Sequence, residues 1–213
     1  MEKDTVIYLG IIDFASRQPE KGTARRAVYG LLRNMTTAFI GVPPAEMEIS
    51  LGPRGKPRFT RLADVHFSLS HSGSLAACAL GPVPLGVDLE VVRERRGWVD
   101  IAKAFFSEQE QLCLETRGAE ALGTFYHFWT RKEAWLKLHG LSVWQVGKAP
   151  PSEVRRGRGP DFRTWRGEGS ASLSLSLCVQ IEGKACSVRF PAEFNSGGIK
   201  WEEVDRAAFD CGP

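Results

Sequence analysis

Three acids and a lysine carry the chemistry that this sequence announces. In Gly86-Val87-Asp88-Leu89-Glu90 two carboxylates are separated by one apolar residue. On a strand, successive side chains alternate faces, so Asp88 and Glu90 point one way while Val87 and Leu89 point into the core. Like charges held that close repel. A hard cation such as Mg²⁺ relieves the repulsion, because it prefers carboxylate oxygens and keeps waters for a phosphate ligand. An edge strand with a solvated acidic face is the other reading of the same five residues. Farther along, Trp129, Glu133 and Lys137 recur at i, i+4 and i+8, which on a helix places the acid and the lysine on one face, one turn apart. Taken alone, that is a helix salt bridge worth about 0.3–0.5 kcal/mol.

The elements that must position these groups are readable from periodicity. Leu85 to Glu90 is the acidic strand, and Ala119 to Leu138 is the helix that brings Glu133 and Lys137. Ahead of them, Thr5 to Ile12 is a β-branched apolar strand. Thr23 to Ile40 is a helix with Val28, Leu31, Leu32, Met35 and Phe39 on its apolar face, stopped by Gly41 and Pro43-Pro44. Arg25 and Arg26 sit in its first turns, where cations oppose the helix macrodipole and an anionic ligand would suit them. Glu46 to Leu51 reads as a short strand. The turn Gly52 to Phe59 carries Arg54, Lys56 and Arg58, but Pro57 stands where a phosphate-binding loop needs a hydroxyl, so a Walker site is excluded. Val65 to Leu80 reads as a hairpin turning at Ser72-Gly73-Ser74, with Ser70 and His71 at its tip. Adjacent strand residues face opposite ways, so Ser70 and His71 are no nucleophile and base. His71 is a phosphate contact or a surface residue.

Pro82-Val83-Pro84 marks a joint between two lobes, 1–82 and 83–213. Beyond the acidic strand, Arg93, Arg95, Arg96 and Lys103 are interleaved with Trp98, Ile101, Phe105 and Phe106, a mixture suited to an acidic partner helix. Ser107 caps a further helix running to about Glu115. Pro150 to Gly169 is rich in Gly, Pro and Arg and reads as a mobile loop or hairpin tip. Ala171 to Val179, Ala185 to Phe190 and Ile199 to Val204 read as strands.

Composition sets outer bounds. Hydrophobic residues make up 43% and charged residues 25% of 213, ordinary for a folded globular chain. A net charge of +3 is too mild to argue for nucleic acid from total charge. The five cysteines form no C-x-x-C pair and read as reduced core thiols. No apolar stretch reaches the roughly 18 residues that would span a bilayer, and the first residues are no signal peptide, so the expected location is cytoplasmic.

Taken together, Gly86-Val87-Asp88-Leu89-Glu90 and, some forty residues later, Trp129-Thr130-Arg131-Lys132-Glu133-Ala134-Trp135-Leu136-Lys137 resemble the paired signature of the 4′-phosphopantetheinyl transferases, in the double-lobe Sfp-type form. Gly55-Lys56-Pro57, Phe67-Ser68-Leu69-Ser70-His71-Ser72, Phe105-Phe106-Ser107 with Glu110, and Tyr126-His127-Phe128-Trp129 stand in the matching order. The resemblance implies an α+β fold of two similar lobes with antiparallel sheets in pseudo-twofold arrangement, acting as a monomer. It implies Mg²⁺-dependent transfer of the phosphopantetheine arm of coenzyme A to a serine of an apo acyl or peptidyl carrier protein. Asp88, Glu90 and Glu133 would hold the metal. Glu133 would take the serine proton, directly or through a metal-bound water, and Lys137 would hold the pyrophosphate. Lys56, Ser70 and His71 would meet coenzyme A phosphates and adenosine, with Arg25 or Arg26 on the 3′-phosphate and Lys132 in an orienting or structural role. The carrier would dock near Arg93, Arg95, Arg96, Trp98, Lys103 and Phe106. Two rivals remain: a carrier-binding homologue without transferase activity, and a nucleic-acid binder using the Arg-rich loop 155–166.

Overall fold

The computed structural model describes residues 5–15, 22–149, 160–181, 185–195 and 198–205. The first strand, β1 (Thr5–Asp13), alternates Ile7, Leu9 and Ile11 inward, each fully buried. The helix α1 (Thr23–Ile40) follows, with the bounds that its periodicity predicts, and ends on Gly41 at φ 76°, a left-handed turn that suits glycine. A short 3₁₀ turn, Pro44–Glu46, takes the first residue of the expected Glu46–Leu51 strand, and the strand itself begins only at Ile49. What remains is a small hairpin, β2 (Ile49–Leu51) with β3 (Pro57–Phe59).

The next hairpin, β4 (His66–Ser72) and β5 (Leu75–Gly81), turns at Gly73-Ser74, and β6 (Leu85–Val91) is the acidic strand. Three helices follow: α2 (Trp98–Phe105), α3 (Glu108–Thr116) and α4 (Ala121–His139). The start of α3 is a capping box in which Ser107 accepts from the Glu110 amide and Glu110 accepts from the Ser107 amide. The remaining strands are β7 (Asp161–Glu168), β8 (Ser172–Val179), β9 (Cys186–Arg189) and β10 (Lys200–Glu203). Residues 161–168 are thus a strand rather than part of a loop: Thr164, Trp165 and Gly167 are buried against neighbours while Arg166 and Glu168 face out.

Strand order is β4-β5-β1-β9 in one sheet and β10-β7-β8-β6 in the other. Each sheet contains a hairpin whose second strand pairs antiparallel with the strand that opens that half of the chain: β4–β5 with β1, and β7–β8 with β6. The inner faces share one core, where Ile7, Leu9, Ile11, Ala77 and Ala79 meet Val87, Leu89, Leu175 and Leu177. Outside this layer, α1 covers the first sheet through Leu31, Leu32 and Met35, and α4 covers the second. The chain returns across the Pro82-Val83-Pro84 joint near its end, since β9 lies parallel to β1 with Thr5 opposite Cys186.

Cys78 and Cys178 are buried free thiols and Cys186 is half-buried and free. Cys113 is disulfide-bonded, which corrects the reading of all five cysteines as reduced; Cys211 lies outside the described residues. Among the described residues no helix is long and apolar enough to cross a membrane.

Candidate active site at the junction of the two sheets

The site is built where the edge of the first sheet meets the edge of the second. One edge of β6 is hydrogen-bonded to β8 and the other faces β4. There the amides of Val87, Leu89 and Val91 donate not to carbonyls but to the hydroxyls of Ser68, Ser70 and Ser72, at 3.0, 3.3 and 3.1 Å. The period-two serines of Phe67-Ser68-Leu69-Ser70-His71-Ser72 therefore join the two sheets side by side. Ser70 is buried, not at a hairpin tip; the tip is Gly73-Ser74.

Against the outer face of β6 lies α4. A Cβ on Gly86 would fall 2.0 Å from the Ala134 carbonyl oxygen and 2.5 Å from the Leu138 amide nitrogen, so the glycine is what lets helix and strand approach so closely. This approach puts Lys137 on Asp88. The Lys137 ammonium donates to Asp88 Oδ1 at 2.7 Å and to Ser70 Oγ at 2.9 Å, and Ser70 Oγ donates to the same Asp88 oxygen at 2.8 Å. Asp88 is buried, and its other oxygen, Oδ2, has no partner. Glu90 accepts from the Ser72 hydroxyl at 2.6 Å. The anchoring of α4 on β8 is also polar: Thr130 Oγ1 lies 3.1 Å from Ser174 Oγ and 2.8 Å from Ser176 Oγ, all buried.

Two of the three acids, Glu133 and Glu90, hold their protons more tightly than free carboxyls do. Burial, with the Asp88 and Glu90 charges against the counter-pull of Lys137, pushes Glu133 up to about 7. Burial and the Asp88 charge push Glu90 up as well, opposed by the Ser72 hydrogen bond, Lys137 and Arg95. The Asp88 charge acts on both, which places the three acids in one electrostatic neighbourhood. Even so, among the described residues no three His, Cys, Asp or Glu side chains are gathered into a ready ligand set for a metal. Asp88 Oδ1 is held by Lys137 and Ser70, and Glu90 Oε2 by Ser72. A divalent cation fits the donor chemistry nonetheless, because hard cations take carboxylate oxygens and the buried Asp88 Oδ2 lacks any partner.

The other expected residues divide into three groups. His71 is exposed and stands opposite Ala76, onto which Ala27 and Val28 in the first turns of α1 pack, so Arg25 and Arg26, both exposed, are on the helix end nearest that pair. Lys56 is at the far end of the cleft, with its ammonium donating to the carbonyls of Leu85 (2.8 Å) and Leu138 (3.1 Å). Burial pulls its pKa down to about 8. Its side chain is a tie between β6 and the end of α4, and the residue lines a cleft of about 520 Å³ with Pro53, Arg58, His66, Phe67 and His139.

Lys132 is not brought to the acids. It is turned into the helical cluster, with its ammonium 2.9 Å from Glu110 Oε2 and 5.5 Å from the centre of the Phe106 ring. A step of one residue rotates a helix side chain by about 100°, which separates it from the face carrying Glu133. Phe106 is likewise no surface anchor: it is buried, with its ring centre 5.4 Å from that of Phe125 and 5.8 Å from that of Phe128. Trp98 is half-buried against Phe125. Arg93, Arg95, Arg96 and Lys103 are exposed and make no ion pair among the described residues, and the exposed apolar groups in the helical segment are Val99, Leu112, Val143 and Trp144. Of the Arg-rich loop, 155–159 lie outside the described residues, and Arg163 is committed to Glu203 by two hydrogen bonds. Sequence reasoning put Ser72 in the hairpin turn and Glu110 in a family motif but gave neither its partner, Glu90 or Lys132; the period-two serines and the capping box were the available signals.

Comparison with known proteins bears on the same span. A family model described as the 4′-phosphopantetheinyl transferase superfamily matches residues 84–177, which include Asp88, Glu90, Glu133 and Lys137. The chain is 36% identical over 126 residues to a 4′-phosphopantetheinyl transferase of Bacillus subtilis, covering 58% of this chain and 55% of that protein. It is 42% identical over 101 residues to the 4′-phosphopantetheinyl transferase AcpT of Salmonella typhimurium, covering 46% and 53%. To AcpT of Escherichia coli O157:H7 it is 32% identical over 158 residues, 72% of each chain. The chain thus spans about half the length of the first two relatives and nearly three quarters of the third.

Proposed function

Because this chain belongs to the 4′-phosphopantetheinyl transferase superfamily, we propose that it transfers the 4′-phosphopantetheine arm of coenzyme A to a serine of an apo acyl or peptidyl carrier protein, releasing adenosine 3′,5′-bisphosphate. The observation that carries this reading is the junction of β6 and α4, where Glu133, its carboxyl pushed up to about 7 by burial and by the Asp88 charge, accompanies a lysine-bridged aspartate whose other buried oxygen has no partner. The two matching strand arrangements support two related lobes meeting there, divided at 82/83, in the pseudo-twofold relation that the family resemblance implies.

Glu133 is the proton acceptor. A carboxyl that titrates near 7 is ionised often enough to take the serine proton and basic enough to hold it. Lys137 binds the pyrophosphate: its ammonium already lies beside an acid and a hydroxyl at the cleft, and a phosphate oxygen is a stronger partner than the Ser70 hydroxyl. Asp88, Glu90 and Glu133 would hold Mg²⁺, which supplies charge neutralisation for the pyrophosphate. His71 with Arg25 or Arg26 would receive the 3′-phosphate, and the cleft beside Lys56 would take the adenosine. The carrier would approach over the unpaired Arg93, Arg95, Arg96 and Lys103, with Val99 rather than Phe106 as its apolar contact.

The test is to incubate the chain with apo carrier protein, coenzyme A and Mg²⁺ and to follow the carrier mass. Gain of one phosphopantetheine on the acceptor serine is the expected result. No gain on any apo acyl or peptidyl carrier, with the carrier still bound, would favour the homologue without transferase activity.

A further inference from the structure

The serine row on β4 does more than join two sheets. A backbone carbonyl facing the Val87, Leu89 and Val91 amides would accept and be finished. A serine hydroxyl that accepts still has a proton to place. At Ser72 that proton goes to Glu90: the hydroxyl accepts from the Val91 amide at 3.1 Å and donates to Glu90 Oε2 at 2.6 Å. Both contacts fix the hydroxyl, the first by backbone geometry, and Ser72 is buried, so the glutamate is held by a group that cannot swing away. One carboxylate oxygen is taken, and the other is left for a ligand. Ser68, two register positions earlier in the same row, accepts from the Val87 amide at 3.0 Å and bonds to no carboxylate.

We propose that Ser72 is a positioning residue for Glu90, setting which oxygen of that carboxylate is presented to a divalent cation in the cleft. The proposal rests on the reading of Glu90 as a cation ligand. It predicts a division within a row of like residues. Ser68 and Ser72 stand in the same strand, each accept from an amide of the same partner strand and are both buried, so as mere links between sheets they play the same part. Of these two, Ser72 alone touches one of the acids, as Ser70 between them touches Asp88.

The experiment is a Mn²⁺ titration of the full chain with saturating coenzyme A, following the electron paramagnetic resonance signal of the free ion, for the wild type and for Ser72→Ala, Ser72→Thr, Ser68→Ala and Glu90→Gln. Thermal melts accompany each variant. Ser72→Ala and Ser68→Ala should both lower the melting temperature, since each strips one strand amide of its acceptor. Ser72→Ala alone should weaken Mn²⁺ binding, by about tenfold, the lower end of what loss of a partner to a metal ligand usually costs. Ser72→Thr, which keeps the hydroxyl, should restore most of it, and Glu90→Gln should weaken it at least as much as Ser72→Ala. If Glu90→Gln weakens Mn²⁺ binding while Ser72→Ala and Ser68→Ala behave alike, the positioning role is wrong and the ligand reading stands. If the wild type binds no Mn²⁺, or Glu90→Gln binds it unchanged, the ligand reading fails and the proposal with it.

Discussion

Helix α4 carries two lysine–carboxylate pairs, five residues apart, and they have little in common. Lys132 and Glu110 are 2.9 Å apart with side chains 3% and 0% exposed, and Glu110 also caps α3 by accepting from the Ser107 amide. Lys137 and Asp88 are 2.7 Å apart, but the lysine is 29% exposed, and Asp88 keeps a buried oxygen without a partner. Five residues rotate a helix by about 140°, so the first pair faces the aromatic cluster and the second faces the cleft. The closed pair has its charges matched and belongs to the architecture. The open pair leaves electrostatic demand unmet beside two further acids, which is what an incoming cation and phosphate can answer. Charge number is the same in both; completeness is what separates scaffold from site.

The comparison breaks most visibly at Lys132. Lys132→Met should destabilise the fold by about 3–5 kcal/mol, because it leaves Glu110 buried and uncompensated, and adding Glu110→Leu should recover much of the loss. Urea unfolding of the single and double variants measures both. A loss below about 1 kcal/mol for the single variant would mean that the pair is not closed in the way its burial indicates. Transfer per folded molecule should hold in the double variant.

On the open side the effects move from stability to rate. Asp88→Ala and Glu133→Gln should each cut the rate of carrier modification by about 10²–10³ while leaving the circular dichroism spectrum native. Near-normal modification by either would remove the acids from the chemistry. Gly86→Ala tests the approach that creates the open pair. With a Cβ 2.0 Å from the Ala134 carbonyl, α4 must shift off β6, at a cost of about 1–3 kcal/mol, and the variant should lose transfer as well as melting temperature.

The smallest effect is the most diagnostic. Glu133 titrates near 7 in the fold and near its ordinary 4.5 once unfolded. The folded chain holds that proton more tightly, so the stability it contributes is full below about pH 4.5 and is lost as pH rises through 7. Glu133→Gln should therefore be more stable than the wild type at pH 8 and no more stable near pH 4, and Mg²⁺ should narrow the difference. The comparison must be between variant and wild type, because His127, held neutral by burial and neighbouring arginines, adds a slope of opposite sign in the acid range.

How much of this was legible beforehand follows the kind of signal involved. The helix bounds of α1, the Gly73-Ser74 turn, the acidic strand and the Ser107 cap are local, and periodicity and capping chemistry give them directly. The pairing of Lys137 with Asp88 was not foreseen: helix spacing joins Lys137 to Glu133, the family pattern gives it to a pyrophosphate, and 49 residues separate it from Asp88. Direction was harder. Lys132 and Phe106 belong to the right motifs but point inward, since the aromatic cluster of α2–α4 must be filled by something. Residues 161–168 read as a loop because Gly and Arg dominate their neighbourhood, yet Trp165 and Thr164 supply the inward face of a strand.

The strand pair β1–β9 sets a constraint on how the chain acquires this shape. Thr5 to Tyr8 find their parallel partners only at Cys186 to Arg189. Synthesis runs from the other end, so the first strand is made with one of its two edges unanswered while nearly the whole chain is still to come. Loop closure over that distance is slow, and an unpaired edge rich in Ile, Val and Leu is a template for association with other chains. The hairpin β4–β5 can shelter the opposite edge of β1 early; the β9 edge waits for the end. Refolding yield should therefore fall with protein concentration more steeply than the stability of the finished molecule suggests, and light scattering during dilution from urea would record it.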